Sequence, residues 1–156
     1  MKNIESRLLP LLKSGFCAPR ISSIARRLRE PTTTIQYNIK RLEREGKIAS
    51  CAAVLNHEKI GRGFCAYALL ELNPKAYVSP DVVARKIAKN PDVESVDICT
   101  GDWEIIVKLR AKDHNEYYGL IKTLLSQEDV AKIKSLISLQ QVKSQFIEFK
   151  PEKEKE

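Results

Sequence analysis

The sequence predicts an α+β chain, an N-terminal helix-turn-helix domain followed by a C-terminal βαββαβ, ferredoxin-like domain. Three observations carry that expectation. Apolar residues recur at helical spacing between residues 4 and 45. From residue 64 onward, β-suited and helical runs follow the order strand, helix, strand, strand, helix, strand. The two stretches also differ in charge: residues 1–60 hold 12 Lys and Arg against 5 Asp and Glu, a net of +7, whereas residues 61–156 hold 15 of each. The whole excess of the chain lies in its first part, which favours a polyanionic partner over a merely solvated basic surface.

Composition sets the bounds. Of 156 residues, 43% are hydrophobic and 30% charged, enough for a packed core and too apolar for a disordered chain. No apolar run approaches the roughly 18 residues of a membrane span, and Met1 to Lys13 lacks the layout of a signal peptide, so a cytoplasmic protein with no membrane contact is expected. Cys17, Cys51, Cys65 and Cys99 form no C-x-x-C pair and have no histidine spacing suited to zinc. They read as small buried hydrophobes, with a disulfide as the alternative if the source is a hyperthermophile. No metal site or cofactor is expected.

In the first part, Ile4, Leu8, Leu11 and Leu12 line one face of a helix over Ile4–Lys13 capped by Asn3, and Pro10 implies a kink or a late start. A second helix over about Ile21–Leu28 points Ile21, Ile24, Ala25 and Leu28 inward and Arg20, Arg26, Arg27 and Arg29 outward. After Glu30-Pro31, a third helix over Thr32–Glu45 sets Ile35, Ile39 and Leu42 on one face, with Gly46 as its left-handed cap. Two short helices joined by a brief turn and preceded by a third form a helix-turn-helix; a generic three-helix bundle is the alternative.

Lys47 to Leu55 is β-suited, and Asn56 to Gly63 reads as a linker. Phe64–Leu72 is a strand. Ser79-Pro80-Asp81 starts a helix with a side-chain cap, a first-turn proline and an acid at the positive end of the dipole, and that helix stops at Asn90-Pro91. Val93–Cys99 and Trp103–Ala111 form a hairpin around the tight turn Thr100-Gly101-Asp102. Asp113 and Glu116 begin a capping-box helix carrying Tyr117, Leu120, Ile121, Leu124 and Leu125, and a last strand covers about Ile133–Val142. Both helices should pack on one sheet face. Ile105, Ile106, Val107 and Leu109 supply apolar groups to both faces of their strand, so the bare face should meet a second copy.

Two stretches resemble a known family: Thr34-Ile35 to Asn38-Ile39-Lys40-Arg41-Leu42-Glu43 with Glu45-Gly46-Lys47-Ile48, then Ala53-Val54-Leu55-Asn56 and Lys59-Ile60-Gly61. With the turn Thr100-Gly101-Asp102-Trp103, the chain resembles the leucine-responsive regulatory protein (Lrp)/AsnC family of transcription regulators over nearly its whole length. The resemblance implies a cytoplasmic, sequence-specific DNA-binding regulator that acts as a homodimer or a higher assembly, commonly an octamer of four dimers. It also implies an amino acid or related metabolite as effector, bound between subunits around Thr100, Gly101 and Asp102 and near Ser135, where the family usually has Thr. Asp102 suits an ammonium group and the N–H groups of the turn a carboxylate; a simple hairpin turn is the alternative. The domains are then residues 1–49 for DNA binding, 50–63 as hinge strand and linker, 64–149 for oligomerisation and ligand sensing, and 150–156 as a charged, frayed tail. Three departures stand out: Asn38 where the family often has Arg, no opening D-x-x-D-x-x-I-L pattern, and Pro10.

With the third helix in the major groove, Thr33, Gln36, Tyr37 and Lys40 reach base edges, and Gln36 is the best reader because glutamine pairs bidentately with adenine. Thr33 and Tyr37 have phosphates or a thymine methyl as alternatives. Arg20, Arg26, Arg27, Arg41 and Arg44 meet phosphates, and two-fold symmetry implies a palindromic operator. Two rivals remain. Sirohaem decarboxylases of the haem pathway resemble the same two-domain architecture, but of the proton-handling residues a tetrapyrrole pocket needs, only His57 and His114 are available, and each reads more simply as a linker or helix-start residue. A metabolite sensor without DNA binding is opposed by the basic first part.

Overall fold

The computed structural model describes residues 9–10, 12, 17–126, 128–144 and 147–148. It divides into two compact units, Met1–Leu55 and Asn56–Glu156. Most of the expected first helix, Ile4–Lys13, lies outside the described residues; of it Leu9, Pro10 and Leu12 are described and helical. The charged tail 150–156 lies outside them entirely.

In the first unit, α1 spans Ile21–Leu28 and α2 spans Thr32–Arg44, and the two helices touch. Ala25 and Ile35 are the buried residues where they meet, with Ile39 and Leu42 half-buried along the same stripe of α2. Leu28 is 60% exposed rather than inward: α1 ends at Arg29, whose left-handed φ of 57° reverses the chain, and Ala25 three residues earlier takes the buried position. Gly46, at φ +69°, ends α2 and lets the N–H groups of Lys47 and Ile48 reach the Leu42 carbonyl at 2.9 and 3.2 Å. The β-suited run Lys47–Leu55 forms no strand, because a strand needs a ladder and no described residue offers it one; Lys47 and Ile48 bond to the end of α2, and the Ala53 N–H reaches the carbonyl of helical Leu12 at 3.0 Å.

In the second unit, β1 (Phe64–Leu72), α3 (Pro80–Ile87), β2 (Val93–Ile98), β3 (Ile105–Ala111), α4 (His114–Leu125) and β4 (Val130–Ser138) build an antiparallel sheet of order β2-β3-β1-β4. A two-stranded ribbon, β5 (Lys143–Ser144) with β6 (Ile147–Glu148), follows. Alternate residues of β1 (Ala66, Ala68, Leu70) face Ile105, Val107 and Leu109 of β3, and the helices close over them. Asp113 caps α4 by accepting the Glu116 N–H at 2.9 Å, while the Glu116 carboxylate takes the Lys112 N–H. Arg62, in the stretch expected as a linker, belongs to this unit and ties it together, bonding Asp92 at 2.5 Å and the Arg110 carbonyl at 2.8 Å.

Several expectations are corrected. Ser79 precedes α3 without a side-chain cap; its backbone carbonyl receives the Val82 N–H instead, at 3.2 Å. The last strand runs Val130–Ser138 rather than Ile133–Val142, since it can extend only along β1, whose pairing closes at Cys65 with Ser138. Of the four cysteines only Cys65 is buried; Cys17 is exposed, Cys51 and Cys99 are half-buried, and all four are free thiols. Ile105, Val107 and Leu109 all turn toward the helices, so Ile106 alone carries an apolar side chain of β3 to the other face, beside Lys108 and Arg110.

Candidate functional site

α2 presents the first candidate surface. At 3.6 residues per turn, Thr33, Gln36, Tyr37, Lys40 and Arg44 fall within an arc of about 100°, opposite the stripe of Ile35, Ile39 and Leu42. All five are exposed, Tyr37 to 65%, with Arg41 at the edge of the arc. Arg41 lies 3.8 Å from Glu45, an exposed pair that leaves its charge largely available. The helix begins after Pro31 with no side-chain cap, so the first N–H groups beside Thr33 are not taken by a side chain. Asn38 is turned the other way: its amide donates to the Thr34 carbonyl at 2.8 Å within the helix. Arg20, Arg26 and Arg27, on α1 and its cap, are exposed. The structure therefore gathers the α2 residues on one polar face and leaves the α1 arginines open on the neighbouring helix, a pattern chemically fit to meet base edges and phosphates.

The second candidate is the β2–β3 connection. Thr100, Gly101 and Asp102 are exposed together, and Gly101 adopts φ +116°, a torsion that L side chains rarely adopt, although a Cβ there would touch nothing. The turn is wider than the sequence implied: the Cys99 N–H meets the Glu104 carbonyl at 2.8 Å, so Trp103 and Glu104 belong to the loop. Glu104 fixes it to the end of β1, giving its N–H to the Leu70 carbonyl at 3.0 Å and accepting the Leu72 N–H on its carboxylate at 2.8 Å. Ser135 is not brought to this loop by the strand order; it sits on edge strand β4 opposite Ala68, and its hydroxyl receives a 2.5 Å hydrogen bond from Tyr117. Burial pushes the Tyr117 hydroxyl above its ordinary range, with the bond to Ser135 opposing, so it stays a neutral donor.

Glu104 escaped sequence reasoning, as did the bond of the Tyr117 hydroxyl to Ser135, Tyr117 having been read only as a residue of its helix, and a charged cluster on the uncovered sheet face. Glu94 accepts from Lys108 at 2.7 Å and from Arg110 at 2.5 Å, and Arg110, 4% exposed, also donates to Gln141. Burial alone would raise the Glu94 carboxyl; the bonds and charges of Lys108 and Arg110 outweigh it and hold that carboxyl below its ordinary range. Glu104 is one acid inside a hairpin connection and Glu94 one acid on a strand, so local spacing marked neither. His114 lies exposed on the first turn of α4, its ring edge-on to Phe64 at 6.2 Å, and His57 sits half-buried in the linker turn. No helix of the described residues is long and apolar enough to cross a membrane.

Residues 65–147 match the family model described as the Lrp/AsnC ligand binding domain. An uncharacterized HTH-type transcriptional regulator of Pyrococcus furiosus is 32% identical over 143 residues, covering 91% of this chain and 95% of its own. A Pyrococcus abyssi protein of the same description is 30% identical over 147 residues, covering 94% and 97%. Among solved structures, a Neisseria meningitidis transcriptional regulator in complex with L-Met superposes with a TM-score of 0.71 at 24% identity over 88% of both chains, a likeness of fold.

Proposed function

The chain belongs to the Lrp/AsnC family of transcriptional regulators, and from that premise we propose that it binds double-stranded DNA sequence-specifically as a homodimer or higher assembly. Residues 1–49 make the DNA contact, 50–63 link, and 64–149 carry self-association and effector binding. The exposed polar face of α2, within the part of the chain that holds the whole net positive charge, is the observation that carries this reading. Gln36 reads adenine, a bidentate pair worth about 1–3 kcal/mol of discrimination, with Thr33, Tyr37 and Lys40 beside it. Arg20, Arg26, Arg27, Arg41 and Arg44 engage phosphates and add salt-dependent affinity without specificity.

The effector is an amino acid or related metabolite held between subunits. Asp102 takes its ammonium group, the N–H groups around Gly101 its carboxylate, and Ser135 of a neighbouring subunit contributes a hydroxyl. The L-Met bound by the Neisseria regulator supports this ligand class. A sirohaem decarboxylase would need a tetrapyrrole pocket with proton-handling residues; His114 is exposed and His57 sits half-buried in a turn, and the likeness to curated regulators favours the regulator.

Mobility shift on a fragment of the gene's own upstream region tests the reading. A specific, salt-sensitive shift lost in Gln36→Ala is expected; a chain that leaves this and related fragments unshifted even at low salt overturns it.

A further inference from the structure

The stretch Asn56–Gly63 is folded on itself and tied down. The Lys59 N–H meets the Asn56 side-chain oxygen at 3.2 Å, the Gly61 N–H the Glu58 carbonyl at 3.1 Å, and the Arg62 N–H the His57 carbonyl at 2.8 Å. One guanidinium then fastens this turn to the sheet. Nη2 of Arg62 donates to the Asp92 carboxylate at 2.5 Å and to the Arg110 carbonyl at 2.8 Å, while Nη1 lies 3.6 Å from the Glu116 carboxylate. The two acceptors of Nη2 are themselves joined, since the Asp92 carbonyl takes the Arg110 N–H at 2.9 Å. Asp92 immediately precedes β2, Arg110 lies at the end of β3 and Glu116 in the first turn of α4, so a single side chain holds three elements. The Arg62–Asp92 side chains are 32% and 26% exposed, against 82% and 56% for the helix pair Arg85–Asp81, so the first is the pair that water screens less.

The first unit is tied close to the same junction, by the Ala53 N–H on the Leu12 carbonyl at 3.0 Å. Between Ala53 and Asn56 stand only Val54 and Leu55. Those three backbone steps cover at most about 11 Å. With Asn56–Gly63 released, the tether would run from Ala53 to Phe64, eleven steps that reach about 38 Å at full stretch. One helical turn of DNA is about 34–36 Å. The anchored tether is a third of that turn and the released one exceeds it, so the anchor decides whether a reader can follow a half-site that moves along the duplex.

We infer that Arg62 determines the spacing of the half-sites this chain accepts: by holding Asn56–Gly63 on Asp92 and the Arg110 carbonyl it keeps the tether of each DNA-reading unit short, and a dimer then takes two half-sites in one helical phase. Arg62 is a positioning residue that acts through the linker. The inference rests on the reading of the chain as a DNA-binding homodimer and adds to it the residue that sets the spacing.

Selection by the full-length chain from a random pool of double-stranded DNA, long enough for two half-sites, identifies operator and spacing together. Wild type should enrich one half-site sequence in pairs at a single helical phase, and Arg62→Ala the same half-site sequence at several spacings. Mobility shift on the selected operator with about five base pairs, half a helical turn, inserted between the half-sites gives the size of the effect. Wild type should bind the interrupted site at least about tenfold more weakly, its second reader no longer engaging, and Arg62→Ala about threefold or less. An unchanged half-site sequence separates loss of the anchor from damage to α2. Circular dichroism checks that Arg62→Ala is folded; where it is not, Asp92→Ala, which removes the carboxylate from the same contact, takes its place and should relax the spacing in the same way. Spacing as strict in the folded variant as in wild type, or wild-type pairs enriched at every spacing, overturns the role of Arg62 and leaves the DNA-binding reading in place. Enrichment of single half-sites, or of nothing, overturns the homodimeric DNA-binding reading and the inference with it.

Discussion

The two units reach stability and function by opposite routes. The second has a continuous core: Leu70, Ile105, Val107 and Leu109 are almost fully removed from water, and both helices close over one side of the sheet. In the first, α1 and α2 each bury a single residue among those described, Ala25 and Ile35, with Ile21, Ile24, Ile39 and Leu42 half-buried and Leu28 exposed, and their outer faces are mostly polar or basic. A thin core with a charged exterior suits an element whose outer face does the binding. A thick core suits a scaffold that must hold a loop and a sheet face in fixed geometry.

That contrast can be broken by mutation. The largest effect is expected from Leu70→Ala, which opens a cavity beneath the sheet and should lower stability by about 3–4 kcal/mol. Trp103, the chain's single tryptophan, lies in the second unit and reports the urea transition by its fluorescence. Glu94→Gln should follow at about 3 kcal/mol, because it leaves Lys108 and Arg110 buried without their anion. The same cluster predicts an acid response with a definite sign. The folded Glu94 carboxyl titrates below its ordinary value of 4.5, so its contribution is complete above that pH and is lost as pH falls through the lower folded value. Urea titrations at descending pH should show wild type losing this increment and Glu94→Gln lacking it throughout.

Smaller effects belong to the first unit. Gln36→Ala should remove about 1–3 kcal/mol of operator discrimination, read as the affinity ratio between operator and scrambled DNA, with the helical dichroism unchanged. Arg29→Gly should raise the melting midpoint of the α1–α2 signal by relieving the left-handed backbone, a gain of about 0.5 kcal/mol after the entropy of glycine is counted.

What was legible in the sequence follows the range of the forces involved. The stripe of Ile35, Ile39 and Leu42, the left-handed Gly46, the Asp113–Glu116 cap and the alternation along β1 depend on residues within a few positions of one another, and their sequence signals correspond to what the structure contains. The errors arose where a distant partner decides. Lys47–Leu55 has β-suited residues but no ladder. The β2–β3 loop is wide because Glu104 bonds to Leu72, thirty-two residues away. The uncovered face is charged because Glu94 reaches across to Lys108 and Arg110, fourteen and sixteen residues on. The α2 residues nominated for DNA share one face by helical period alone. Ser135 and the Thr100–Asp102 loop share no strand, so the proposed effector site would join them only across a second subunit, which one sequence does not describe.

The central claim, that the first unit contacts DNA through a base-reading α2 and phosphate-binding arginines, is tested most directly by fluorescence anisotropy on one operator across a salt series. The account predicts a steep fall of log K with log salt, a Gln36→Ala line displaced to weaker binding with its slope unchanged, and an Arg27→Ala line whose slope is shallower by about one. Affinity that ignores salt, or that neither substitution alters, would contradict it.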